Sequence, residues 1–218
     1  MKALFDPNSK IYRFGSTVTA LMFLNLLVVL TSIPIVTFGA SMAAMHTMML
    51  KIYRDEEHKL VSDYFKAFRE NLKQATAIWI IYIVYFAALL AGYMLINQLG
   101  GPSTVATLLR FFLLGLAYIG VSSMLWAFVL QSRYINPVGR TIRNSLLVLI
   151  SNVAPSLVML IMAVVSGVLF FMTQTLAAAM MIGITAPTFF VTMLYSRVFD
   201  KLEGIDRSHP AESESCEE

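Results

Sequence analysis

Charge is what this chain has least of. Only 13% of its 218 residues are Asp, Glu, Lys or Arg, against about 25% in an ordinary soluble domain. None at all falls within 15–50. That shortage excludes a water-soluble globular domain. Cysteine is almost missing too: the single Cys216, in the polar C-terminal segment, leaves no intramolecular disulfide and no thiolate cluster for a metal. There is no HExxH, no phosphate-cradling glycine loop and no carboxylate pair inside an apolar run, because every Asp and Glu lies in a polar patch or at a terminus. The expectation is therefore no catalytic residue, no cofactor, no metal and no enzyme. No polar stretch approaches the roughly 50 residues that a second, soluble domain would need.

What the chain does have is apolar length. Hydrophobic residues make up 58% of it, the mean hydropathy is +0.72, and the runs between charged patches suit the ~20 residues that cross a hydrocarbon layer. These features predict an all-α, polytopic transmembrane helical bundle of about six segments, near 15–33, 39–53, 75–96, 105–130, 145–171 and 176–195. They form one domain, 1–202, and the acidic remainder, 203–218, is expected to be disordered. The net charge of +3 reads as basic loops on the cytoplasmic side of a membrane and not as a nucleic-acid surface.

The uncharged stretch 15–50 is longer than one span requires. Pro34 disfavours helix at the residue before it, and Gly39 offers a flexible point five residues on. A helical hairpin broken at Pro34 and Gly39 is the reading, with span two either a short full crossing or a re-entrant piece sheltered by other helices. Gly39, Ala40, Ala43 and Ala44 supply the small side chains that allow close helix packing.

The segment 51–73 carries six of the sixteen Lys and Arg residues. After the polar turn Arg54-Asp55-Glu56-Glu57, Ser62 or Asp63 can cap a new helix. On that helix Phe65, Phe68 and Leu72 share one face, and Lys66, Arg69 and Lys73 follow the same spacing one position later. This predicts an amphipathic elbow at the cytoplasmic interface, with Tyr64, Phe65, Phe68, Arg69 and Lys73 as a surface that a partner could contact. Pro155 and Pro187 are expected to break spans five and six. Within the apolar runs Asn25, His46 and Asn152 are the polar residues to explain, either as interhelical hydrogen bonds or as markers of a solute path. The methionine cluster Met42, Met45, Met48 and Met49 reads as adaptable packing.

With six crossings and both termini cytoplasmic, fifteen of the sixteen Lys and Arg residues fall on one side, Arg110 lies within a span, and the opposite loops hold none. The positive-inside bias favours that arrangement.

Leu26-Leu27 followed by Pro34-Ile35-Val36-Thr37-Phe38-Gly39-Ala40-Ser41 resembles the opening signature of the YesL family of bacterial integral membrane proteins. Asp63-Tyr64-Phe65-Lys66-Ala67-Phe68-Arg69-Glu70-Asn71-Leu72-Lys73-Gln74-Ala75-Thr76, with Trp79, resembles its second signature, and the likeness runs over about 5–202. Asp55-Glu56 departs from the Gly-Glu often found after the arginine in that family. The resemblance implies a multi-pass protein of the plasma membrane, the lipid bilayer its first partner, encoded near carbohydrate-uptake systems. It assigns no ligand or catalytic residue. The functional expectation is an accessory or regulatory component whose partners are carbohydrate transport-system subunits. The alternative is a small permease for a glycan fragment or other solute.

Overall fold

The hairpin expected at Pro34 is the first feature of the computed structural model, which describes residues 10–57, 59–99, 103–134, 136–172 and 183–203. Among these residues there are seven α-helices, one 3₁₀ turn and no strand. Helix α1 (Lys10–Ser32) ends at the extended Pro34, a single 3₁₀ turn (Ile35–Thr37) reverses the chain, and α2 (Phe38–Tyr53) returns. Helix ends leave carbonyls without partners, and here the Thr37 hydroxyl lies 2.7 Å from the Thr31 carbonyl and 2.8 Å from that of Pro34. Gly39 sits inside α2 and is not a hinge. A Cβ there would meet the Ala75 carbonyl and lie 2.9 Å from Trp79 Cβ. Its use is close approach, and with Ala40, Ala43 and Ala75, all buried, it forms the seam between α2 and α3.

Helix α2 closes on a Schellman motif. Glu56 N–H donates to Lys51 O (3.1 Å), Asp55 N–H donates to Ile52 O (3.3 Å), and Asp55 takes the left-handed conformation with φ 58°. The charged segment then enters α3, which runs uninterrupted from Leu60 to Leu99. Forty helical residues rise about 60 Å. The amphipathic segment is thus helical, but the chain does not turn between it and the third span. Helix α3 starts before both expected caps, and Asp63 lies in its first turn.

Helix α4 (Thr104–Gln131) packs antiparallel to α3, its first turn capped by Ser103 Oγ accepting from Ala106 N–H. Tyr85 donates to Leu116 O at 2.8 Å, and Gly120 leaves room for the Tyr85 and Phe86 rings. Arg110 does not stand alone in its span, since its Nε donates to Asn97 Oδ1 at 3.1 Å.

The expected fifth span, 145–171, is two helices. α5 (Val138–Ser151) and α6 (Val153–Met172) meet at 107° across Asn152. Pro155 therefore does not kink a running helix. It occupies the third position of α6, where a backbone N–H would have no intrahelical partner to lose. Pro187 holds the same position in α7 (Thr185–Glu203), again a helix start and not an internal break. Residues 176–182 of the expected sixth segment, and the tail beyond Glu203, lie outside the described residues.

Among the described residues, four helical stretches are long and apolar enough to cross a membrane: Phe14–Ser32, Ile35–Tyr53, Leu60–Gln98 and Thr104–Gln131. The bent pair α5–α6 makes a fifth if it counts as one span. The exposed surface of α3, α4 and α6 carries Ile, Leu, Val and Phe side chains such as Val84, Leu108, Phe111, Phe112 and Val164. That is the surface a lipid-immersed bundle presents.

Candidate functional site

The charged segments, far apart in sequence, gather at one end of the bundle. Lys51 pairs with Asp63 at 2.9 Å and Arg54 with Asp200 at 3.4 Å. Thr47 donates to the Ser132 carbonyl at 3.1 Å, and the Arg133 guanidinium lies over the Phe199 ring at 5.6 Å. Buried Gln131 joins three elements there: its amide nitrogen donates to Asn71 Oδ1 (3.1 Å) and Gln74 Oε1 (2.7 Å), and its carbonyl accepts from Thr141 (3.4 Å).

Helix α3 divides the expected partner surface between two faces. Tyr64 is 0% exposed and turned inward, its hydroxyl 2.6 Å from Thr31 Oγ1. Thr31 gives its only proton to the Leu27 carbonyl (2.8 Å), so Tyr64 and Ser41 both donate to it. Tyr64 therefore drops out of any docking surface, and Phe68 is partly buried among the packing of α2 and α3. The face that packs is Tyr64, Ala67, Ala75, Ile78 and Tyr82. What remains outside is Phe65 (38% exposed) together with Lys66, Arg69 and Lys73.

The three intramembrane polar residues do not converge. Asn25, fully buried, accepts through Oδ1 from Ile184 N–H at 3.2 Å and so holds the turn that starts α7. Asn152 donates through Nδ2 to Val148 O (3.2 Å) while its own carbonyl accepts from Ser156 N–H (3.1 Å), covering both helix ends at the α5–α6 bend. Only His46 faces open space. It is 6% exposed, meets the Tyr195 ring edge-on at 5.6 Å, and its buried Nδ1 has no hydrogen-bond partner among the described residues.

That space is a cavity of about 680 Å³ between α1, α2, α4, α6 and the start of α7. Its walls are apolar and rich in methionine: Met42, Met45, Met124, Met159 and Met162, with Phe38 and Leu125. Among the described residues, four with polar side chains line it, namely Ser32, His46, Ser166 and Thr188. Thr188 donates back to Ile184 O at 2.7 Å, whereas buried Ser32 Oγ, like His46 Nδ1, has no partner among the described residues. Ser32, Met124, Met159 and Gly167 were not marked by the sequence. Single serines, methionines and glycines in apolar helices look the same whether they pack or line a void, and only the assembly of five elements distinguishes them.

Residues 21–93 match a family model described as a protein of unknown function, DUF624, the family that YesL belongs to. The match takes in α1 from Leu21, α2 and α3 as far as Tyr93, so it holds both signature stretches and is narrower than 5–202. No curated protein and no solved structure matches the chain.

Proposed function

We propose that this is a non-enzymatic integral membrane protein of the YesL type, acting in the plasma membrane as an accessory or regulatory subunit beside a carbohydrate uptake system. Both termini and the charged end of the bundle face the cytoplasm, in keeping with the positive-inside bias. The docking surface is the outer face of the first half of α3, Lys66, Arg69 and Lys73 with Phe65. One observation carries this reading: the inner face of that helix is consumed by packing, which holds the cationic face rigid and exposed. A preorganised basic stripe loses little freedom on meeting an acidic partner surface. The test is co-purification of transport-system subunits, identified by mass spectrometry, with the wild type and with the combined Lys66→Glu, Arg69→Glu, Lys73→Glu variant. Recovery falls at least tenfold while insertion is unchanged; equal recovery removes this surface.

The permease alternative has the cavity in its favour and the lining against a glycan as cargo. A sugar needs a partner for each hydroxyl it strips of water, and among the described residues four polar side chains line the cavity. Uptake of an oligosaccharide by purified protein in liposomes would restore it.

A further inference from the structure

We infer that the outer face of α5 is a binding site for an anionic phospholipid, with Arg140 and Arg143 on its phosphate. This is independent of the docking surface on α3. The helical period divides α5 into two sides. Thr141, Ser145, Val148 and Leu149 are buried against the bundle, while Arg140, Arg143, Leu146, Leu147 and Ile150 are exposed. The exposed side changes character along its length. Its first half carries the two guanidiniums, and its second half presents Leu146, Leu147 and Ile150.

Charge identifies the headgroup. The chain has no Asp or Glu between Glu70 and Asp200, and neither Arg140 nor Arg143 has a hydrogen bond or an ion pair among the described residues. Two guanidinium forks at i and i+3 share one side of the helix, and each can pair bidentately with a phosphate. The apolar residues begin one turn on, since Arg143 and Leu147 stand about 6 Å apart along the axis. A soluble anion or an acidic protein loop would meet the arginines and leave the leucines uncovered. A phospholipid carries its charge and its chains together and covers both. The neighbouring helix marks the same boundary. Gln131 donates to Gln74 and accepts from Thr141, which sets those residues of α3 and α5 at one level. On α3 the exposed cations end at Lys73, and Ile80, Ile81 and Val84 follow as exposed apolar residues. Both helices thus pass from headgroups to acyl chains at one depth, with Arg140 and Arg143 on the headgroup side.

The experiment uses the full chain in a mild neutral detergent, with bound lipids counted by native mass spectrometry. The probes are phosphatidylglycerol and phosphatidylcholine with identical acyl chains, and soluble glycerol phosphate serves as competitor. Phosphatidylglycerol is expected to bind about tenfold tighter than phosphatidylcholine, because each basic residue at the surface favours an anionic lipid. Arg140→Gln with Arg143→Gln brings the two lipids within about twofold of each other. Arg140→Lys with Arg143→Lys keeps the charge but loses the fork, and lowers the preference about threefold. Lys59→Gln with Arg197→Gln removes the same charge from other exposed positions and leaves the preference unchanged. The inference is overturned if the wild type holds both lipids equally, or if the Arg140 and Arg143 variants keep the full preference. Loss of the preference in the Lys59 and Arg197 variant overturns it as well, since net charge alone would then be at work. So does displacement of the lipid by an equal concentration of glycerol phosphate, the mark of a site for soluble anions.

Discussion

At Asp55 the chain adopts φ 58° to close the Schellman motif that ends α2. A Cβ in the left-handed region costs an ordinary L residue ~1–2 kcal/mol, Asp and Asn tolerate it best, and glycine has no such penalty. The turn that the resemblance associates with glycine is therefore built here with an aspartate under mild strain. Asp55→Gly should raise stability by about 0.5–1 kcal/mol, and Asp55→Val should lower it by ~1 kcal/mol, read as shifts in thermal unfolding in detergent micelles. The same measurement separates two glycines. Gly39→Ala drives a methyl into the Ala75 carbonyl and Trp79 and should cost about 1–3 kcal/mol. Gly167→Ala has open space at its Cβ and should gain up to ~1 kcal/mol from helix propensity alone.

Among the elements, the apolar runs were readable from hydropathy, since a lipid-facing helix must be apolar over its whole length. The facing of α3 was less so. Choosing large apolar residues selects Phe65, Phe68 and Leu72, yet the helix packs through Tyr64, Ala67, Ala75, Ile78 and Tyr82, where small alanines admit α2 and two tyrosines point inward. The inner tyrosines have partners that a sequence cannot show. Ser145 donates to Ile142 O (2.7 Å), so it accepts from Ser123 (2.9 Å), which accepts from Tyr82 (2.6 Å): a directed chain across α3, α4 and α5. Tyr82→Phe should cost about 0.5–1.5 kcal/mol. The change in charge near residue 74 suggested an elbow because it reports a change of surroundings, but charge does not bend a backbone, and between Leu60 and Gly92 there is neither proline nor glycine to do so. At the α5–α6 bend the proline is real but reads three residues late, because proline favours the first turn of the helix it follows into. Pro155→Ala should accordingly change stability by less than ~0.5 kcal/mol. Asn152→Leu, which strips the cap from Val148 O, should cost about 1 kcal/mol and speed amide exchange at the end of α5.

The whole molecule sets how deep the α1–α2 hairpin goes. Its turn meets α3 at Ala75 and Trp79, and the twenty residues from there to Leu99 rise about 30 Å, the thickness of the hydrocarbon layer. The end of α3 therefore lies about one membrane thickness beyond the hairpin turn, and the two are not expected to stand at the same membrane surface. The chemistry of the turn agrees. Ile33, Ile35 and Val36 are largely exposed and wholly apolar, a poor tip for a loop in water. The turn's carbonyls are also satisfied internally, Ile35 O by Trp79 Nε1 (2.8 Å), Pro34 O by Thr37 N–H (2.9 Å) and Thr31 O by the Thr37 hydroxyl. Non-helical backbone survives at membrane depth only on those terms. We therefore expect the re-entrant form of the hairpin, which leaves the charge count intact, because zero crossings and two crossings both return the N-terminal leader to the side of 51–73. In a Cys216→Ser background, a membrane-impermeant maleimide applied outside intact cells should label Ser103→Cys and leave Val36→Cys and Lys66→Cys unmodified. Applied to inverted vesicles, it should label Lys66→Cys and Arg140→Cys. External labelling of Val36→Cys would mean that the hairpin crosses completely, and that the first half of α3 lies deeper than its Lys66, Arg69 and Lys73 face permits.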